Sequence, residues 1–131
     1  MGSSGSVRGK EVARIEAAEL EEPWAPVRFD FEDPMGRSVE GVAMRVDGEV
    51  IAFENICPHL GMPLDCHGGD FRAVDGVSLV CDAHGARFAA EDGECSVGPC
   101  EGDRLSMMRV RRAEEEGDEA YVVLRGRSLS M

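Results

Sequence analysis

Cys57 and His59 stand on either side of Pro58, and further along the chain Cys81 and His84 enclose Asp82 and Ala83. No other feature of the sequence restricts the fold as strongly. One sulfur and one nitrogen donor open each of two long stretches rich in Gly, Pro, Cys and His, Cys57 to Phe71 and His84 to Asp103. Loops of that length in a small domain usually bind something. Two Cys and two His then converge from two loops. Five cysteines in a chain with no export signal do not make a complete disulfide framework, so metal ligation is the leading use of the thiols.

The 131 residues suffice for one sizeable core and leave no room for a second enzymatic domain. Residues Met1 to Ser6 read as a tag, so residues 7–131 are expected to form a single domain. Charged residues at 31%, hydrophobic at 43% and aromatic at 5% describe a globular chain rather than a disordered one. No stretch approaches the ~20 apolar residues of a membrane span, and the N-terminus lacks the plan of a signal peptide, so a cytoplasmic location is expected. Lys and Arg number 14 against 26 Asp and Glu, a net charge of −12. Nucleic acid and anionic membranes are poor partners for such a surface, whereas a basic face on another protein is attracted to it. The acidity serves solubility equally well.

The patterning between the loops is that of strands. Val27 to Phe31 alternates apolar and polar residues, the period of a half-buried strand. Val42 to Val46 and Val50 to Phe53 flank Asp47-Gly48, which predicts a hairpin. Val77 to Val80, Leu105 to Val110 and Ala120 to Leu124 read as further strands, and Lys10 to Leu20 leans the same way. The acidic segment Glu114 to Glu119 is expected to be a solvated loop. Many short strands with turn signals between them predict an all-β fold, a small antiparallel barrel or sandwich, with no strong helix.

Cys-x-His followed by Cys-x-x-His suits tetrahedral zinc, yet a zinc finger more often pairs cysteines at one knuckle and histidines at the other. Mixing the donor types within each loop also suits a two-iron cluster, with one iron held by two thiolates and the other by two imidazoles.

The segments CPHLGMPL at 57–64 and CDAHGARF at 81–88 resemble the Rieske family. The likeness continues into DGECSVGP at 92–99, which is similar to the family's proline-containing loop over the cluster. This resemblance implies a small antiparallel β-barrel or sandwich with two cluster-binding loops at one end and one [2Fe-2S] cluster. It further implies that Cys57 and Cys81 ligate one iron and His59 and His84 the other. Gly61 and Gly85 suit such loops by allowing positive φ and letting N–H groups approach the bridging sulfides. Cys66 and His67 fall in extra residues between Asp65 and Gly76; adjacent side chains poorly serve one metal together. Cys95 and Cys100 are expected to be free or buried thiols rather than ligands or a disulfide.

The chain departs from the family's high-potential members. Met62 and Ala83 stand where respiratory Rieske proteins carry a disulfide between the cluster loops. Ala86 and Phe88 stand where those proteins direct Ser and Tyr hydroxyls at the cluster sulfurs. A hydrogen bond to a charged group is worth about 1.5–3 kcal/mol, and ~1.4 kcal/mol is ~59 mV for one electron. Losing two lowers the potential by about 100 mV or more, toward the negative end of the Rieske range.

The implied molecule is a carrier rather than an enzyme, because four protein ligands leave no open iron position. The mononuclear iron of an oxygenase needs two further histidines, and only His67 remains. No G-x-G-x-x-G comes after a strand, so the electron must come from a separate reductase. The resemblance thus implies a Rieske-type ferredoxin, a monomer passing single electrons from an NAD(P)H-dependent flavin reductase to a terminal oxygenase or similar acceptor, with docking near His59 and His84. The alternatives are a tightly bound electron-transfer subunit of a larger, nitrite-reductase-like oxidoreductase, and a structural zinc module.

Overall fold

Asp47 and Gly48 both adopt positive φ, 53° and 84°, the signature of the two-residue turn whose twist matches that of paired strands. The turn joins β3 (Ser38–Val46) to β4 (Glu49–Glu54), which pair from Val46↔Glu49 to Gly41↔Glu54. This is the hairpin the sequence predicts. In a computed structural model, residues 11–58, 61–66, 68, 70–73, 76, 78–82, 85–97, 103–115 and 117–124 are described.

Around that hairpin the remaining strands assemble as two antiparallel sheets. β1 (Glu11–Glu16), β2 (Val27–Glu32), β8 (Met107–Glu115) and β9 (Asp118–Leu124) complete a six-stranded sheet in the order β1-β9-β8-β4-β3-β2. Its two edges, β1 and β2, touch, so the sheet curls into a nearly closed barrel. β5 (Ser78–Val80), β6 (Arg87–Ala89) and β7 (Cys95–Val97) form a second, three-stranded sheet.

β3 and β4 are covered on both sides, and alternation along each strand divides the core in two. Val42, Met44, Val46 and Phe53 face the small sheet and join Cys57, Leu64, Phe71, Leu79, Cys81 and Phe88. Val39, Ala43 and Ala52 face the barrel interior with Ile15, Leu20, Phe31, Met108, Tyr121 and Val123. Phe53 meets Phe71 edge to face at 5.5 Å between centroids, an arrangement worth about 0.5–1.5 kcal/mol beyond its buried area. Gly41 is needed on the interior face, since a Cβ there would lie 2.4 Å from the Phe29 ring.

Three expectations are corrected. Lys10 to Leu20 is only partly strand, because β1 gives way to a 3-10 helix at Ala17–Leu20 that turns Leu20 into the barrel core. The acidic segment from Glu114 is a continuation of the last hairpin, not a loop, with Glu114 opposite Glu119 and Glu115 opposite Asp118. Arg112 donates to Glu119 and offsets the like charges, while Gly117 at φ 84° makes the turn. The stretch from His84 to Asp103 is not irregular throughout, for it contains β6 and β7. Each of those strands is three residues long, too short for periodicity to reveal.

Candidate metal centre

Cys57 comes after β4 and Cys81 after β5, and both open a turn of the same design. The Cys57 N–H donates to the Met62 carbonyl at 2.6 Å, and the Gly61 N–H donates back to the Cys57 carbonyl at 2.7 Å. In the second turn the Cys81 N–H donates to the Ala86 carbonyl at 2.9 Å, and the Gly85 N–H to the Cys81 carbonyl at 2.9 Å. Gly61 has φ 72° and Gly85 φ 75°, a region costly to any residue with a Cβ. Both glycine amides therefore close their own loops. The positive φ expected of both glycines is present.

Neither thiol is in a disulfide, and both are almost fully covered, Cys57 at 1% and Cys81 at 0% exposure. They belong to one cluster of buried residues with Leu64, Leu79, Ala86 and Phe88. Metal ligation is a use that suits buried sulfur donors of this kind. Two matched, buried thiols in equivalent turns fit the sulfur half of a [2Fe-2S] site. His59 and His84 lie outside the described residues. Among the described residues no group of three or more ligating side chains converges.

The two turns are tied to each other through Leu64. Its carbonyl accepts from the Asp82 N–H at 2.8 Å, and its N–H donates to Asn55 Oδ1 at 2.9 Å. Asn55 Nδ2 in turn donates to Glu40 Oε1 at 2.8 Å and Asp65 Oδ1 at 3.1 Å. Arg28 bridges the same two carboxylates, at 3.3 Å to Glu40 and 2.8 Å to Asp65. Burial opposes ionisation of Asp65, but the bonds from Asn55 and Arg28, with the charge of Arg28, hold its carboxyl below the usual range. Sequence reasoning did not single out Asn55, Arg28 or Glu40. Nothing in one sequence marks an Asn beside a ligand loop as buried.

Of the extra residues between the loops, Phe71, Arg72 and Ala73 lie along β5. Arg72 forms an antiparallel bridge with Leu79, the Val80 N–H donates to the Phe71 carbonyl, and the Ala73 N–H to the Ser78 carbonyl, both at 2.9 Å. Arg28 sits over the Phe71 ring at 5.4 Å and Arg72 over Trp24 at 5.3 Å. Cys66 is half-buried, and its thiol donates to Asp82 Oδ1 at 3.5 Å. Burial and the neighbouring Asp82 carboxylate push that thiol's pKa up. His67 lies outside the described residues.

Cys95 is disulfide-bonded, which corrects the expectation of a free thiol there. The residue sits on β7, and its N–H donates to the Asp103 carbonyl at 3.1 Å, so the chain leaves and returns at this point. Cys100, Gly98 and Pro99 lie outside the described residues. Ala86 and Phe88, at 1% and 0% exposure, line the interior with no side-chain donor to offer.

A family model for the Rieske [2Fe-2S] domain matches residues 16–125. The chain belongs to the Rieske [2Fe-2S] domain family. Solved structures share the fold. One chain of a complex of reduced oxygenase and oxidized ferredoxin in carbazole 1,9a-dioxygenase is 24% identical, with a TM-score of 0.62, covering 92% of this chain and 95% of that one. The ferredoxin of carbazole 1,9a-dioxygenase from Nocardioides aromaticivorans IC177 is 22% identical, with a TM-score of 0.63, over 90% of this chain and 99% of the other. The terminal oxygenase of the corresponding system from Novosphingobium sp. KA1 is 23% identical with a TM-score of 0.62, but only 32% of that chain is covered. No curated protein sequence matches. The Rieske fold accounts for the small sheet carrying the second turn and for the barrel beneath it. No helix among the described residues is long and apolar enough to cross a membrane.

Proposed function

We propose that the protein is a Rieske-type ferredoxin, a one-electron carrier between an NAD(P)H-dependent flavin reductase and a terminal oxygenase or similar acceptor. The carrying observation is the pair of equivalent turns that bury the thiols of Cys57 and Cys81 in a Rieske domain. Cys57 and Cys81 would hold one iron of a single [2Fe-2S] cluster, and His59 and His84 the other. When bound, that cluster supplies reversible one-electron reduction. The fold match to a ferredoxin over 99% of its chain supports the carrier reading.

The chain's own residues do the rest. Burial of both thiols keeps water from the sulfur ligands. Ile56 and Met62, 37% and 42% exposed, flank the first turn and offer apolar contact to a partner docking near His59 and His84. The net charge of −12 draws a basic partner face and makes association weaken with salt. Ala86 and Phe88 donate nothing to cluster sulfurs, which supports a potential at the negative end of the Rieske range. Residues 7–131 act as one domain, monomeric and cytoplasmic.

The test is iron and acid-labile sulfide analysis of anaerobically handled protein, followed by redox-poised absorption and electron paramagnetic resonance titration. About two irons and two sulfides per chain, a single one-electron step and reduction by a flavin reductase are expected of one such cluster. One zinc without sulfide would overturn the reading in favour of a structural module.

A further inference from the structure

We propose that Asn55 is a positioning residue for the cluster loops, and that Asn55, Leu64 and Asp82 form a non-covalent clamp holding the Cys57 and Cys81 turns in register. The proposal rests on the reading of Cys57, His59, Cys81 and His84 as ligands of one cluster. It goes beyond that reading in assigning the geometry of the centre to residues that bind no metal.

Asn55 is 2% exposed and its amide has one orientation. Glu40 and Asp65 carboxylates only accept, and a backbone N–H only donates. Nδ2 must therefore face the carboxylates and Oδ1 the Leu64 N–H. The Asn55 N–H itself donates to the Glu40 carbonyl at 2.9 Å, so backbone and side chain are both anchored to β3. Leu64, at 0% exposure, is then gripped from both sides. Asn55 holds its N–H from two positions before Cys57, and Asp82, next to Cys81, holds its carbonyl. Any change in the reach from Asn55 to Leu64 shifts one cysteine turn against the other.

The surrounding charges serve the amide. Arg28 pairs with Glu40 and Asp65 together and fixes them side by side, and two fixed acceptors keep Nδ2 from rotating. Exposed ion pairs of this kind add little stability by themselves, which makes orientation of Asn55 their more substantial effect. Met62 and Ala83 exclude a covalent link at those positions, so the hydrogen-bonded bridge through Leu64 takes up the task.

Two full-chain variants, Asn55→Leu and Glu40→Ala, test this in two states. In the apoprotein, amide hydrogen exchange is expected to rise at least tenfold at Leu64 in Asn55→Leu, to rise also at Asp82, and to rise less but in the same sense in Glu40→Ala. In the cluster-loaded protein, the reduction equilibrium is expected to change at least threefold, about 28 mV at ~59 mV per tenfold for one electron, with altered g-values. Unchanged exchange at Leu64 and Asp82 overturns the clamp. Faster exchange with wild-type potential and g-values overturns the positioning role and leaves an ordinary structural bond. If Asn55→Leu does not fold, Glu40→Ala decides by the same criteria. Wild-type protein without iron and sulfide defeats the ligand reading instead, and the apoprotein exchange still decides the clamp.

Discussion

Cys57 and Cys81 occupy the same place in two turns of one hydrogen-bonding pattern, each donating to the carbonyl five residues on and accepting from the glycine four residues on. The histidines break this likeness, His59 lying two residues after its cysteine and His84 three. Each turn thus offers one sulfur and one nitrogen donor, which is what the proposed cluster, with two thiolates on one iron and two imidazoles on the other, would need of two loops.

His84→Cys is expected to lower the reduction potential, because a thiolate brings negative charge where a neutral ligand stood. Redox-poised paramagnetic resonance on the variant measures it. An intact cluster with an unchanged potential would remove His84 from the ligand set.

Gly61→Ala and Gly85→Ala are each expected to cost about 1–2 kcal/mol, since a Cβ at these φ values is strained although nothing among the described residues lies within 4 Å to clash with it. Thermal melts should fall by about 3–8 °C per variant. Asparagine at either position, which tolerates positive φ better, should recover part of the loss. A loss as large for asparagine as for alanine would contradict a purely conformational cause.

Cys57, Cys66 and Cys81 stand outside any disulfide and Cys95 is bonded. Thiol titration of the unfolded, unreduced, cluster-free protein is therefore expected to find three reactive groups, rising to the five of the sequence after reduction. Five before reduction would dismiss the disulfide.

Acid should weaken the fold through Asp65. Its folded-state pKa lies below the ordinary 3.8, so the folded protein binds this proton less readily than the unfolded one. The stabilisation is present above about pH 3.8 and is lost as the pH falls through the lowered value. Asp33, held low by N–H donors from Arg37 and Met35 and by the Arg37 charge, acts in the same direction. Denaturation of apoprotein between about pH 5 and 2.5 should show a shallower acid slope in Asp65→Asn than in the parent. Identical slopes would mean that Asp65 is unperturbed.

Much of the fold can be read from local pattern. Alternation marks β2, and Asp47-Gly48 marks the β3–β4 hairpin, because side-chain period and positive φ are properties of neighbouring residues. β6 and β7 escape such reading, being too short to show a period and held by pairing, β6 with β5 and β7 with β6. The last hairpin misleads for another reason. Glu114 and Glu119 look solvated and are, yet their backbones pair, and Gly117 with Arg112 makes the pairing tolerable.

Type and spacing of donors single out Cys57, His59, Cys81 and His84 as a set, since coordination chemistry depends on which atoms a loop can present. The burial of both thiols, the matching of their turns and the Asn55 grip on Leu64 came only with the folded chain. They depend on contacts from Glu40, Asp65 and Asp82, which are distant along the sequence. A hydrogen bond between such residues has no local signature, because it exists only once two sheets have packed and removed the competing water.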